Sequence, residues 1–196
     1  MIGKRTRWNI TPYVGGGPLH FGMTSREVGK FDDILGKPET SDHELSKILR
    51  EAIKDNPDAA KILADSGLNL QDGEPVTERR PDLKCEYFDG RLGTIDFFPR
   101  GKVGLFINDI DLFNTETQGL LQQLEKANGG AQEYMGSVLF AKLGIILGGY
   151  YSSKSKKVYD TNDDRDVCIY SELALEKLLT MLKHPYKKVS FFPQVK

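Results

Sequence analysis

Residues 15–39 read GGGPLHFGMTSREVGKFDDILGKPE. Three glycines and a proline run into Thr-Ser-Arg-Glu, and the stretch closes on Leu-Gly-Lys-Pro. Its reading decides between a phosphate-cradling loop and a helix-entry motif. A P-loop needs a lysine after its last glycine to reach the terminal phosphates. Gly22 stands at the required spacing from Gly17, but Met23 occupies the lysine position. A dinucleotide fingerprint fails too, because His20 stands where the third glycine belongs. The helix reading succeeds at both ends. Thr24 and Glu27 form a capping box, Val28, Phe31, Ile34 and Leu35 make one apolar face, and Gly36 with Pro38 stops the chain. The expectation is a short strand at Leu19–Phe21 followed by a helix over 24–35.

The chain of 196 residues is 39% hydrophobic and 28% charged, the balance of a globular protein. A net charge of −1 gives no global field to recruit nucleic acid or an anionic membrane. MIGKRTRWNITPYV lacks the apolar segment of a secretory signal, and the run 138–151 is too interrupted to span a bilayer. Cys85 and Cys168 exclude a disulfide framework. Either one bridge or two buried thiols is left, and a reducing compartment favours the thiols. The expectation is a soluble cytoplasmic chain.

Working outward, Ser41 with Glu44 and Asn56-Pro57 open the two arms of a helical hairpin over 41–66. Residues 69–81 read as a polar surface loop. KCEYF and RLGTIDFF flank Asp89-Gly90, a two-residue hairpin signal, and VGLFI follows as a third strand of the same antiparallel sheet. A second helix is expected over 114–126, capped by Thr115 with Gln118 and ended by Gly129. Strands near 137–143 and 145–151, a turn, DVCIYS, a helix over 171–183 and a closing VSFF strand complete the chain. Placing Gly129 on Gly36 also aligns Leu121 with Val28 and Leu124 with Phe31, although the caps slip by two residues. The fold class is therefore α+β: two helix-plus-antiparallel-sheet units in a tandem arrangement, with a helical insert. The single domain 1–196 divides into a unit over 10–110, which holds the insert, and a unit over 111–196.

Chemistry is harder to find. DTNDDRD, residues 160–166, places Asp160, Asn162 and Asp164 at the first ligand positions of a calcium loop. Arg165 then replaces the required glycine and Ser171 the bidentate glutamate. His20, His43 and His184 have no metal-ligand spacing, and neither cysteine has a C-x-x-C partner. Carboxylate pairs such as Glu86 with Asp89 and Asp109 with Asp111 read as turns and solvated faces. No cofactor, metal or catalytic set is expected. The aromatic doublets Tyr87-Phe88, Phe97-Phe98, Tyr150-Tyr151 and Phe191-Phe192 each put one ring inward and one outward. Outward rings on one sheet face would mark a partner surface; helices covering both faces would remove it.

Two resemblances rest on these residues. The strand, then Gly22-Met23-Thr24-Ser25-Arg26-Glu27-Val28, then Leu35-Gly36-Lys37-Pro38, resembles the entry motif of the β-lactamase-inhibitor-protein-like fold. That fold also occurs in the small lipoprotein of the outer-membrane assembly machine. The order Pro12 to Thr24, Ile95-Asp96-Phe97-Phe98, Leu112-Phe113 and Lys142-Leu143-Gly144-Ile145 is similar to that of bacterial proteins encoded beside polymorphic or contact-dependent toxins. It covers about residues 10–38 and 84–170, leaving 41–81 unmatched. The resemblance implies an immunity protein that neutralises a toxin by protein–protein contact, without catalysis. The acidic residues Asp160, Asp163, Asp164 and Asp166, with the 41–81 segment, are its natural contacts against a basic cleft. A scaffolding or ligand-binding protein, or an enzyme whose site assembles only in three dimensions, is the alternative.

Overall fold

The computed structural model describes residues 6–41, 76–99, 102–134, 136–160, 164–181 and 186–193. The expected helical hairpin over 41–66 lies outside the described residues, apart from Ser41. The chain starts with β1 (Thr6–Thr11), β2 (Gly15–Gly16) and β3 (Leu19–His20). The glycine triplet serves packing: at Gly17, with φ +58°, any Cβ would overlap the Trp8 indole. The capping box forms as expected, with Thr24 and Glu27 each accepting from the other's backbone N–H. The helix behind it is broken. It runs as α1 (Ser25–Val28), a 3₁₀ turn (Gly29–Phe31) and α2 (Asp32–Leu35). Glycine at position 29 weakens an α-helix at its centre, and Ile34 is left exposed while Val28 and Leu35 are buried.

Next come β4 (Thr40–Ser41), β5 (Val76–Arg79), β6 (Leu83–Phe88), β7 (Arg91–Phe97), β8 (Val103–Ile107) and β9 (Ile110–Asp111). Asp89 and Gly90 both take positive φ, so β6 and β7 form the expected hairpin. The polar segment 69–81 is corrected by β5, whose Glu78, with the adjacent Arg80, is buried. Charges enter the interior here because they enter together. Arg80 donates to Asp32 (2.7 Å), to the Gly36 carbonyl (2.6 Å) and to Glu78 (3.4 Å), while Tyr87 donates to Glu78 (3.1 Å). Ser25 also donates to Glu78. This group ties the whole 25–36 segment to β5.

The second half holds α3 (Thr117–Asn128), β10 (Ala131–Tyr134), β11 (Ser137–Phe140) and β12 (Ile145–Gly148). It continues with β13 (Tyr151–Ser152), β14 (Lys157–Val158), β15 (Asp166–Tyr170), α4 (Glu172–Met181) and β16 (Lys187–Val189). The cap of α3 differs from expectation: Glu116 accepts from the N–H groups of Gln118 and Gly119, so the helix starts later than a Thr115 cap requires. Gly129 ends it in the left-handed conformation, as its position predicts.

The architecture is mixed α+β and mostly sheet. A nine-stranded antiparallel sheet runs β16-β10-β11-β12-β15-β7-β6-β5-β4, and a five-stranded sheet runs β3-β2-β1-β8-β9. The strand β8 is thus not a continuation of the β6–β7 meander. It pairs in parallel with β1, with Trp8 beside Leu105. Four of its five residues are buried, including Gly104, which is how a strand covered on both faces reads. The five-stranded sheet and α3 cover the inner face of the large sheet, where Trp8 meets Phe97 edge-on at 6.1 Å. The outer face carries α4, with Leu175 packed among Leu139, Ile146 and Cys168.

In each aromatic doublet one ring is buried (Tyr87, Phe97, Tyr150, Phe191) and its neighbour is more accessible. The outward rings do not form one surface. Phe88 has the Lys177 ammonium of α4 at 5.3 Å, and Tyr151, on the separate β13–β14 ribbon, packs edge-on against Phe191. The closing strand stops at Val189 rather than running through the phenylalanines. Phe191 turns inward, donating its N–H to Glu125 at 2.7 Å.

The Glu78–Arg80 group predicts a specific asymmetry. Arg80→Met strands a buried carboxylate and should cost about 3–5 kcal/mol in denaturant unfolding. The double variant Glu78→Gln/Arg80→Met should recover much of that loss. Equal losses in both would show that the pairing is immaterial.

Candidate functional site

The acidic run 160–166 enters β15, and strand alternation decides what each residue does. Val167 and Ile169 face inward, so Arg165 shares their parity and Asp164 and Asp166 take the other. Arg165 is 4% exposed. Its guanidinium lies 4.5 Å from the centre of the buried Tyr150 ring and donates to the Thr117 hydroxyl and the Tyr159 carbonyl. The Thr117 hydroxyl in turn donates to that carbonyl at 2.9 Å, and the Tyr159 N–H donates to the Tyr150 carbonyl at 3.0 Å. One buried cation thereby fastens both ends of the loop to the start of α3 and to the core.

Around this anchor, Tyr159, Asp160 and Asp164 are exposed. Asp160 accepts from the Thr117 N–H at the start of α3 (3.4 Å). Hydrogen bonding from the Thr117 side chain and backbone, then the charge of Arg165, holds its carboxyl below the usual range. Of the four acidic residues picked from sequence, Asp160 and Asp164 share this loop. Asp163 lies outside the described residues. Asp166 is half-buried on the outer face of the large sheet, where Gly148 opposite it leaves room for its carboxylate.

Asp166 belongs to a second grouping that the sequence reading missed. Register sets Lys84, Asp96 and Cys168 side by side across β6, β7 and β15, and sets Glu86, Thr94 and Tyr170 in the neighbouring row. Lys84 contacts Glu86 at 2.9 Å and Asp96 at only 3.9 Å. The Asp96 side chain is 15% exposed, and its Oδ1 and the Thr94 hydroxyl have no hydrogen-bond partner among the described residues. Burial and then the charge of Asp166 push the Asp96 carboxyl up to about 7, against the pull of Lys84. Burial raises Asp166 as well. The available signal was parity: Lys84, Glu86, Thr94, Asp96, Asp166 and Cys168 occupy the outward positions of adjacent strands. Reading Glu86 with Asp89 as turn chemistry hid it.

Both cysteines are free and buried. Burial pushes the Cys85 thiol to about 12 and Cys168 well above its ordinary value, so neither supplies a thiolate nucleophile near neutrality. His20 is exposed on β3, and His43 and His184 lie outside the described residues. No group of three or more metal-ligating side chains is found among the described residues, and no described helix is long and apolar enough to cross a membrane. Comparison with protein-family models, curated proteins and solved structures found no match.

The Asp96 carboxyl sets a sign for pH dependence. Its folded value, about 7, lies above the ordinary 3.8, so the folded state holds a proton that the unfolded chain releases. Stability conferred by that proton is complete below the unfolded value and falls as pH rises through this window. Asp96→Asn should therefore raise stability by about 2 kcal/mol near pH 8 and leave it unchanged near pH 4. Urea unfolding at both pH values measures it, and a gain of equal size at both would contradict the assignment.

Proposed function

We propose that this chain is a binding protein without catalytic activity, an immunity protein that neutralises a cognate toxin by covering a basic surface of it. One observation carries the reading. The exposed Tyr159, Asp160 and Asp164 stand on a loop held from beneath by the buried Arg165. A loop whose two ends are fastened in this way loses less conformational entropy on association than one with free ends. An exposed tyrosine beside carboxylates also supplies both a contact anchor and electrostatic steering. The burial of Arg165 has a cost, and placing a cation inside to brace an acidic loop is a sensible use of it when the loop has a partner. In this reading Asp163 adds to the same charge, Asp166 marks the sheet side, and the tandem units with the 41–81 segment form the scaffold and a second contact region.

A second reading is favoured by Asp96. A carboxyl raised to about 7 beside an unpartnered hydroxyl is the kind of group that serves in general acid–base chemistry. The two readings separate on variants. If the loop is the binding element, Asp160→Asn/Asp164→Asn should preserve the fold and capping geometry while weakening toxin binding about ten-fold or more, mainly through association rate. Surface plasmon resonance against the proposed cognate toxin domain measures this. Unchanged affinity in the double variant rules out the loop, and failure to protect cells from that toxin rules out immunity. An activity lost in Asp96→Asn alone would favour the second reading.

A further inference from the structure

The basic groove behind α3 is a second surface, independent of the acidic loop and of any toxin. It encloses about 750 Å³ between the β13–β14 ribbon and β16. Lys156 and Lys157 line it from the ribbon, and Lys187 and Lys188 from the sheet. Tyr151 and Phe191 contribute rings, and Val158 and Val189 add aliphatic surface. Lys156, Lys157, Lys187 and Lys188 therefore line one groove in a chain whose net charge is −1, with Lys187 on the same face of β16 as Val189 and Lys188, by strand alternation, on the other. Among the described lining residues the one carboxylate is Glu133, which already accepts from the Gly136 N–H at 2.9 Å. None of the four lysines forms an ion pair among the described residues.

Among the described strands, β16 is the last of the nine-stranded sheet and pairs only with β10, and β14 pairs only with β13. Lysines on an edge strand often serve simply to repel other edges. That role accounts for Lys187 and Lys188 on β16. It does not account for Lys156 and Lys157, which a separate hairpin brings to the same groove at a cost in mutual repulsion. The repulsion is relieved by an anionic occupant. Strand edges and valines suit an extended peptide, which takes main-chain hydrogen bonds and alternating side-chain contacts. Phe191 is buried, so Tyr151 is the one accessible ring of the two, too few to stack the successive bases of single-stranded nucleic acid.

We propose that this groove binds an extended acidic segment of a partner protein, with alternating carboxylate and aliphatic side chains. The lysine ammonium groups take the carboxylates and Tyr151, Val158 and Val189 the aliphatic positions. The probe is a fluorescein-labelled decapeptide of alternating Glu and Val, followed by anisotropy with the full-length protein. Saturable binding is expected, weakened about ten-fold in Lys187→Glu/Lys188→Glu and comparably by raising salt to about 0.3 M. Lys30→Glu/Lys37→Glu, an equal charge change outside the groove, should bind within about two-fold of the parent. Asp160→Asn/Asp164→Asn should also leave peptide binding intact, which separates this proposal from the toxin reading. If Lys187→Glu/Lys188→Glu fails to fold, Lys156→Glu/Lys157→Glu on the ribbon provides the same comparison. No saturable binding, indifference to both lysine pairs, or tighter binding of an oligothymidylate of equal length would overturn the proposal.

Discussion

The pairing of β7 with β15 is the constraint on which the other features depend. It joins the two halves of the chain in one sheet, with Phe97 opposite Val167 and Ile95 opposite Ile169 on the inner face. Those residues build the core against Trp8 and the five-stranded sheet. The same register puts Asp96 opposite Cys168 on the outer face, which brings Asp96 near Asp166 and isolates its carboxyl from water. It also fixes the parity of Arg165, two residues before Val167, so that the guanidinium points to Tyr150 and not to solvent. A slip of one residue would exchange the two faces along the strand, taking Arg165 out and turning Asp164 and Asp166 in.

Charge is distributed with a consistent logic. Three charged groups that go inside do something for the backbone: Arg80 holds the Gly36 carbonyl, Arg165 holds the Tyr159 carbonyl, and Glu125 accepts from Phe191. Each fixes a segment that carries too few apolar residues to hold itself. The surface left over is divided. Asp160 and Asp164 lie on one loop, and four lysines line one groove, with the start of α3 contributing to both through Thr117 and Gln118. Separation of sign over a small region suits recognition of partners that carry charge in patterns, more than nonspecific attraction by net charge.

Much of the local structure was legible in sequence because it rests on local chemistry. The Thr24–Glu27 box, the Asp89-Gly90 turn and the Gly129 stop depend on nearby atoms, and they form where the residues stand. Partner choice between strands was not legible. VGLFI reads the same whether it continues a meander or crosses to lie parallel with β1. The polar run ending in Arg79-Arg80-Pro81 looked like surface, because burial of Arg80 depends on Asp32 and Glu78 arriving from elsewhere. The site was half readable. Alternation carried two residues back from DVCIYS would have turned Arg165 inward, whereas the Asp96 grouping needs the β6–β7–β15 order.

The central claim is that a buried arginine shapes an acidic loop for a basic partner. Hydrogen–deuterium exchange of the chain, alone and with the proposed toxin partner, tests it most directly. The account predicts slow exchange at the Tyr159 amide before binding, since that N–H is already bonded to Tyr150, and new protection along 159–166 in the complex. Fast exchange at Tyr159 in the free protein, or a complex whose protection leaves 159–166 unchanged, would contradict it.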